Sequence, residues 1–233
     1  MSWTITGTQK TSVDPLFGSV SILLHGNLVT TSTNIVDSSP APNTVTASGT
    51  AVISTAQNKF GEASIASGTS GQAQWPSSSA FNFTGVDFTI EFWYYLNALP
   101  SEGAIFATRA SGAATIGLVF YQASSTLYLY AGSPAGGFDI ANGPVFGTVS
   151  TGQWYHIALT RSANTYRLFF NGTLANTFTS SLILGFPSNA LSISGQADGG
   201  QKFNGYVDEF RITKGVARYQ AAFTPQSAPF PDI

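Results

Sequence analysis

The sequence contains no cysteine, so neither a disulfide bond nor a thiolate metal site can form. Charged residues are also scarce: Asp, Glu, Lys and Arg make up 9% of the chain, against about 25% in an ordinary soluble domain. The formal net charge of −2 supplies no field that would attract nucleic acid or an anionic membrane. We therefore expect a neutral surface of hydroxyl and amide groups, suited to contacts with sugars or other subunits, and no nucleic-acid partner.

Long apolar runs are missing as well. No stretch reaches about 18 apolar residues, so we expect no membrane insertion. The first residues, MSWTIT, show no basic segment followed by an apolar run, so we predict no signal peptide. A neutral surface of extracellular type without a secretion signal fits a particle released by lysis, such as a phage virion, or a fragment of a longer chain.

Period-two alternation of apolar residues indicates β-strands along most of the chain. The segments FTIEFWYYL (88–96) and WYHIALT (154–160) show it most clearly. Asn171-Gly172, between two β-rich runs, predicts a hairpin, because both residues tolerate positive φ. The predicted inward residues are Phe88, Ile90, Phe92, Tyr94 and Leu96 in the first segment, and Tyr155, Ile157 and Leu159 in the second.

Turn residues separate further short strands at even intervals, which predicts one all-β, antiparallel two-sheet sandwich over residues 19–220. Residues 1–18 are predicted to be an extended N-terminal arm. Residues 221–233 carry three prolines and are predicted to be a Pro-rich extended C-terminal tail, pinned by Phe223 and Phe230. The further strands are predicted at 19–24, 44–47, 63–66, 104–107, 116–121, 126–130, 190–193 and 205–212.

Four segments, FTIEFWYYL, GQWYHIALTRS, YRLFFNGTL and NGYVDEFRITKGVARY, resemble the concanavalin A-like, laminin-G-type jelly-roll domains. The resemblance covers about residues 18–230 and implies the jelly-roll sandwich. The ending RITKGVARY, followed by FTP, is similar to versions common in tailed-phage virion proteins. One departure is His25-Gly26-Asn27, where many relatives carry Phe-Asp-Gly, so an acidic group is missing there.

Catalytic groups are few. Glycosidases on this fold need two carboxylates roughly 5–9.5 Å apart, and the Glu-x-Asp-x-x-Glu string of the β-glucan-cleaving relatives is absent. Glu91 stands alone in its strand, although a carboxylate from another strand could meet it. Asp208 and Glu209 are adjacent, so we expect them to face opposite sides of a strand. With His25 and His156 interpreted as structural, we predict that the chain is not an enzyme.

A structural calcium ion is the metal that the resemblance implies, with Asp37 and Asp208 at the positions that relatives use for ligands. Aspartate side chains and backbone carbonyls are the ligands that such sites prefer. The alternative is that Asp37 forms an Asx-turn and Asp208 a cross-strand hydrogen bond.

Sugar binding is the second prediction for a site. Trp93 and Tyr95 project from the side of their strand opposite the core, and Tyr128 and Tyr130 share a face in TLYLY. If these strands are neighbours, the four rings form a row on which pyranose faces stack. The alternatives are ordinary cross-strand pairs or a subunit interface.

We therefore predict a non-enzymatic structural or adhesive protein of a phage virion: a tail fibre, receptor-binding or capsid-decoration component. Its expected partners are other virion proteins or copies of itself in a homo-oligomer such as a trimer, and a host surface glycan. A stand-alone carbohydrate-binding lectin module is the alternative, and a glycan hydrolase is the least favoured one.

Overall fold

The alternating apolar segments form β-strands in the computed structural model, which describes residues 13–26, 32–109, 116–186 and 190–233. Each strand predicted from the sequence has a counterpart there, with its ends shifted by a few residues. The fifteen strands within the described residues are β1 Val20–Leu24, β2 Thr46–Ser48, β3 Val52–Ser54, β4 Ser64–Ala66, β5 Gln72–Trp75, β6 Phe88–Leu96, β7 Gly103–Ala107, β8 Gly117–Ala123, β9 Thr126–Gly132, β10 Ala141–Thr148, β11 Trp154–Ser162, β12 Thr165–Phe170, β13 Thr173–Thr179, β14 Leu191–Ile193 and β15 Gly205–Lys214.

Three of these strands were not predicted from the sequence, for local reasons. β3 and β5 are too short to show a clear alternation, and β10 contains Gly143 and Pro144, which weaken a strand pattern. Proline is tolerated in β10 because this strand lies at the edge of its sheet. Two 3₁₀ turns, Phe17–Ser19 and Ser79–Phe81, are the helical elements of the described chain, and within it no helix is long and apolar enough to cross a membrane.

Two antiparallel sheets pack face to face, which confirms the predicted two-sheet sandwich. Sheet A has the order β13-β12-β11-β6-β15-β4-β3, and β1 pairs with the C-terminal half of β15. Sheet B has the order β10-β9-β8-β7-β14-β5-β2. We call the face of each sheet that points away from the other sheet its outer face. The predicted hairpin at Asn171-Gly172 joins β12 to β13, and both residues have positive φ, 49° and 77°.

Aromatic rings from both sheets fill the space between them. Phe92 of β6 lies 5.7 Å from Phe210 of β15 and 5.3 Å from Phe120 of β8, measured between ring centroids. Phe106 of β7 lies 5.1 Å from Phe210 across the same interface. All eight residues predicted to face inward on β6 and β11 belong to this core, so that prediction is confirmed.

A β-bulge in β15 changes the expected direction of two carboxylates. The register with β6 slips between Asp208 and Arg211, and Glu209 has a φ of 50°. Val207 and Phe210 both belong to the core, so the intervening Asp208 and Glu209 both lie on the outer side of sheet A. The expectation that they face opposite sides was wrong, because the extra residue of the bulge interrupts the alternation.

Both ends of the described chain cover the outer face of sheet A. Residues 215–233 cross this face, with Thr160 Oγ1 donating to the Tyr219 carbonyl at 2.8 Å. The Phe223 ring stacks on Tyr219 with centroids 3.6 Å apart, and Phe230 is buried beside β1. The Asp14 N–H donates to the Ile233 carbonyl at 2.9 Å, so the two ends meet. Residues 1–12 of the predicted arm lie outside the described residues.

An ionic cluster lies beneath these terminal segments. Arg211 donates to Glu91 Oε1 from Nη2 at 2.7 Å and from Nε at 3.0 Å, and from Nη1 to Asp14 Oδ2 at 3.1 Å. Arg218 binds Asp14 at 2.7 and 3.0 Å, and the Tyr219 hydroxyl donates to Glu91 Oε2 at 2.8 Å. We call these five residues the ionic cluster.

Glu91 is fully buried within the ionic cluster. Burial alone would raise its pKa, but the charge of Arg211 and contacts with His156 and Arg211 lower the pKa to about 2. His156 Nε2 lies 3.4 Å from Glu91 Oε2, a contact longer than an ordinary hydrogen bond. His156 is itself buried between Trp93 and Phe223, which agrees with a structural role.

We expect Glu91→Gln to lower the free energy of unfolding by about 3–5 kcal/mol, because it removes the charge of the carboxylate that accepts two hydrogen bonds from the buried Arg211 and leaves Asp14 as the remaining anionic partner in the cluster. Urea denaturation at pH 7 measures the change. Asp87→Asn is the control, since the Asp87 pair with Arg161 is half-exposed and longer, at 3.7 Å, and should cost less than about 1 kcal/mol. Equal losses for the two variants would contradict a dominant ionic cluster.

The same variant should change the acid limb of the stability curve. The folded pKa of Glu91, about 2, lies below its ordinary value of 4.5, so its stabilisation is present above pH 4.5 and is lost as the pH falls towards 2. Thermal melts between pH 5 and 2 should therefore fall more steeply for the natural protein than for Glu91→Gln. Parallel curves would show that other groups set the acid sensitivity.

Candidate functional site

The four aromatic residues predicted to bind sugar lie on different sheets. Trp93 and Tyr95 are on β6 of sheet A, whereas Tyr128 and Tyr130 are on β9 of sheet B. The strands are not neighbours, so the four rings do not form one row. Trp93 is 7% exposed, because the Lys59 ammonium lies 4.0 Å from its ring centroid and Phe60 packs against it at 5.9 Å.

Tyr95 takes part in a smaller cluster on sheet A. It pairs across the strands with Trp154 and Tyr206, at centroid distances of 5.5 and 5.9 Å, and all three rings are half-buried. We call these three residues the sheet A row. Cross-strand aromatic pairs of this kind stabilise a sheet in their own right, so the row has a structural explanation without a ligand.

A cavity of about 370 Å³ opens on the outer face of sheet B, with Tyr130 in its lining. Concave sites of this size that combine aromatic walls with a few polar groups are typical of small-ligand binding. We call it the Tyr130 pocket. Its described lining residues are Glu102, Arg109, Val119, Tyr121, Tyr130, Phe138, Asn142, Gln196 and Gln201.

Strand alternation aims the rings of the pocket outward. Leu127 and Leu129 of β9 point into the core. Tyr128 and Tyr130 alternate with them along the strand and therefore point to the outer face. The Tyr130 ring lies at the centre of a group of four: its centroid is 5.6 Å from Tyr121, 6.3 Å from Tyr128 and 5.0 Å from Phe138. The result is a ridged aromatic wall held by two paired strands.

Gly143 of β10 keeps the space beside this wall open. Its φ is 83°, and a Cβ at this position would lie 3.3 Å from Tyr130 Oη. A side chain there would both strain the backbone and press on the Tyr130 hydroxyl. The glycine therefore lets β10 pass close to the ring without displacing it.

Polar groups form the opposite side of the pocket. Gln201 Nε2 donates to Glu102 Oε2 at 3.1 Å, and Gln201 also pairs with the Gln196 side chain. Gln72 Nε2 donates to the Gln196 carbonyl at 2.5 Å, which ties this wall to β5. Burial, the charge of Glu102 and a hydrogen bond to Glu102 together raise the pKa of Tyr121 to about 12. The polar groups are thus held in place before any ligand arrives.

Phe138 enters the pocket from a strained turn. Its φ is 52°, an unfavourable value for a bulky residue, and the preceding Gly136 and Gly137 also have positive φ. The Ser133–Asp139 hydrogen bonds, at 2.6 and 2.8 Å, close this turn. The turn places the Phe138 ring against Tyr130, with the Arg109 guanidinium 5.0 Å from its centroid. Backbone strain of this kind concentrates at functional sites.

We expect Phe138→Gly to change the free energy of unfolding by less than about 1 kcal/mol, because relief of roughly 1–2 kcal/mol of left-handed strain offsets the lost ring contacts. Phe146→Ala, which removes a fully buried core ring, should cost about 3–5 kcal/mol. Urea denaturation of both variants measures the difference. A loss for Phe138→Gly as large as that for Phe146→Ala would mean that the ring serves packing.

The two predicted calcium ligands are occupied by N–H donors. Asp37 Oδ1 accepts from the Leu23 and Ser39 N–H groups, each at 3.0 Å, and Oδ2 accepts from the Asn43 backbone and side chain at 2.8 and 2.9 Å. The Ser39 contact is the Asx-turn considered as the alternative. This arrangement also caps the free edge of β1.

Asp208 is engaged in a similar way. It accepts from the backbone N–H groups of Lys59, Phe60 and Glu209 at 2.7, 3.1 and 2.9 Å. Burial raises the pKa of Asp208 to about 7, although the Phe60 and Lys59 N–H groups lower it in part. At both positions, N–H groups occupy the place beside carboxylate oxygens that a calcium ion would need, so the ion would have to compete with them.

Across the described ranges, no group of three or more His, Asp or Glu side chains is placed to hold a metal ion. The calcium site stays a prediction, which calorimetric titration with Ca²⁺ and thermal melts with and without EDTA would test.

Carboxylates are sparse in the Tyr130 pocket. Glu102 is the one carboxylate among the described lining residues, whereas the acid and base of a glycosidase form a pair. Glu91, the residue considered for such a role, lies in the ionic cluster on the other sheet. The polar groups of the Tyr130 pocket can donate hydrogen bonds to hydroxyl groups and accept hydrogen bonds from them, beside an aromatic surface on which a ring can stack.

A family model described as the concanavalin A-like lectin/glucanases superfamily, of the laminin G type, matches residues 67–220, which is more than half of the chain. The chain belongs to this superfamily. The jelly-roll resemblance noted in the sequence is thereby confirmed, and the sandwich is a concanavalin A-like one. Among curated proteins, none matches the chain.

Solved structures with the same fold include several binding domains. The binding domain of Paraclostridial Mosquitocidal Protein 1 has a TM-score of 0.64 at 17% identity over 90% of this chain and 50% of its own. A structure of botulinum neurotoxin type C, a toxin whose cell entry depends on interaction with two ganglioside molecules, has a TM-score of 0.66 at 15% identity. The match covers 89% of this chain and 50% of the toxin chain. This chain therefore spans about half the length of those toxin structures.

A third match covers most of both chains. Domain 4 of AbnA, a GH43 extracellular arabinanase from Geobacillus stearothermophilus solved with arabinotriose, has a TM-score of 0.61 at 19% identity over 80% of this chain and 88% of its own. Identities this low show the shared fold. These concanavalin A-like neighbours are mostly binding domains.

Several residues of the Tyr130 pocket were not found from the sequence. Tyr121 was within a predicted strand, and its outward position followed from the alternation in LVFYQA, so a signal existed. Glu102, Arg109 and Phe138 lie in or beside turns, where no periodicity predicts a direction. Sheet pairing, which a single sequence does not reveal, brings them together with Tyr130.

Proposed function

We propose that this concanavalin A-like chain is a non-enzymatic binding module that takes a carbohydrate in the Tyr130 pocket. The observation that carries the proposal is the meeting of an aromatic wall with fixed carboxylate and amide groups in one open cavity on sheet B. Glu102 and Arg109 contribute opposite charges, so the pocket suits a neutral glycan better than a highly charged one.

The chemistry of the pocket matches the two surfaces of a sugar ring. The apolar C–H face of a pyranose or furanose packs on an aromatic ring such as Tyr130, which removes both from water. The equatorial hydroxyl groups then face Glu102, Asn142 and Gln201, which supply acceptors and donors that fix the orientation. Hydrogen bonds to an ionised group such as Glu102 contribute more than neutral ones.

The structural neighbours support this proposal. The AbnA domain was solved with arabinotriose, and the botulinum neurotoxin structure concerns gangliosides. The AbnA match covers 88% of that domain, so its sandwich is the part compared with this chain, whereas the toxin match covers half of its chain.

Tyr130→Ala should weaken glycan binding at least about tenfold, which corresponds to about 1.4 kcal/mol. A glycan array identifies bound sugars, and isothermal titration calorimetry on the strongest hit measures the change. Tyr95→Ala is the matched control, because it removes a half-buried tyrosine from the sheet A row on the opposite face. Loss of binding in Tyr95→Ala with binding kept in Tyr130→Ala would transfer the site to sheet A.

We also propose that the module works in a phage virion, as an adhesive tail-fibre or receptor-binding component or a capsid decoration. Support comes from the phage-like RITKGVARY ending and the low charge. The proposed partners are other virion proteins or copies of itself, as in a trimer. Mass spectrometry of purified particles should detect the chain, and its absence would leave the stand-alone lectin module as the better account.

The non-enzymatic part of the proposal has its own test. The protein should release no reducing sugar from the glycans that it binds. Release that disappears in Glu102→Gln would overturn this part and favour the hydrolase alternative.

A further inference from the structure

A second hollow of about 360 Å³ adjoins the Tyr130 pocket, and Glu102 lines both. We propose that the two form one groove that binds an oligosaccharide of at least two sugar units, with one unit on Tyr130 and the next in the second hollow. This inference rests on the proposed function and specifies the length of glycan that the module recognises.

The second hollow lies where two connecting loops meet at the edge of the sandwich. Residues 97–102 join β6 to β7, and residues 194–204 join β14 to β15. Asn97 ties the loops together: its backbone N–H donates to the Asn204 carbonyl and its side-chain amide to Asn204 Oδ1, both at 3.0 Å. The Ala104 N–H donates to the Gln201 carbonyl at 2.6 Å, and Lys202 Nζ donates to the Ser70 carbonyl. The walls are thus fixed by hydrogen bonds.

Glu102 forms the junction between the two hollows. It is exposed, and one of its oxygens accepts from Gln201 Nε2. Gln201 has a φ of 52°, and its side chain is held at the Tyr130 pocket by hydrogen bonds to the Glu102 and Gln196 side chains. The next residue, Lys202, lines the second hollow. A carboxylate in this position can accept hydrogen bonds from the hydroxyl groups of a sugar on either side, which suits two linked units.

The second hollow has the surface of a weaker subsite. Leu99 is 45% exposed and, with Pro100, offers an apolar patch for a sugar face. Thr69, Ser101 and Asn204 add hydroxyl and amide groups around it. Among the described residues that line this hollow, none presents an exposed aromatic ring. We therefore assign most of the binding free energy to the Tyr130 pocket and a smaller part to the second hollow.

The small size of the groove favours a short glycan over a protein partner. Each hollow lies near the lower end of the size range of small-ligand sites, and the stretch between them is a single exposed carboxylate. A protein surface would need a broader apolar centre than Leu99 and Pro100 supply.

The test measures binding against glycan length. Ladders of one to six glucose, xylose, arabinose or N-acetylglucosamine units are titrated by calorimetry and ligand-observed NMR. For the series that binds, the affinity should rise at least about tenfold between one unit and three, then level off. In the double variant Leu99→Ala/Lys202→Ala this gain should disappear, while the affinity for a single unit stays the same.

Two variants complete the design. Tyr130→Ala should weaken binding at every length, and Leu174→Ala, which removes an exposed leucine from edge strand β13, should leave the length dependence unchanged. Thermal melts confirm that each variant is folded.

Equal affinity for one unit and three, or a length gain that survives the double variant, would overturn the groove and leave the single-sugar pocket standing. No binding by any ladder or any glycan on the array would overturn both proposals.

Discussion

The buried pair of Arg211 and Glu91 is the interaction on which the rest of the molecule depends. It joins the central strands β6 and β15 of sheet A on the side away from the core, where two charges would be unstable alone. Asp14, Arg218 and Tyr219 complete the set from the two terminal segments. Because its members come from both central strands and both terminal segments, the cluster fixes where those segments lie, and the segments in turn exclude water from the cluster.

This covering divides the sandwich into two unlike faces. Much of the outer face of sheet A is occupied by the chain's own residues. The C-terminal segment covers Thr89 and Glu91, and Lys59 and Phe60 cover Trp93, so these side chains are buried although they point away from the core. The outer face of sheet B has no such cover over the Tyr130 pocket in the described chain. The face available to a ligand follows from where the terminal segments bind, and strand alternation alone does not reveal it.

The fold was largely predictable because periodicity and turn chemistry are local. The inward residues of β6 and β11 followed from the sequence, as did the Asn171-Gly172 hairpin. What failed was non-local or irregular: the bulge at Glu209, the short strand β3 and the burial of Trp93. Of the predicted sugar-binding residues, Tyr130 lines the pocket and Tyr128 packs beside it, but Glu102 and Phe138 come from turns that only sheet pairing brings close to them.

The hydrogen bond between Asp14 and Ile233 makes the domain nearly a closed loop of chain. A short linker between residues 13 and 233 could join the ends without stretching the fold, and new ends could then be opened at an exposed hairpin such as Asn171-Gly172. Residues 13 and 233 meet at one place, on the side of the sandwich opposite the Tyr130 pocket. A support fixed at this place would point the pocket outward.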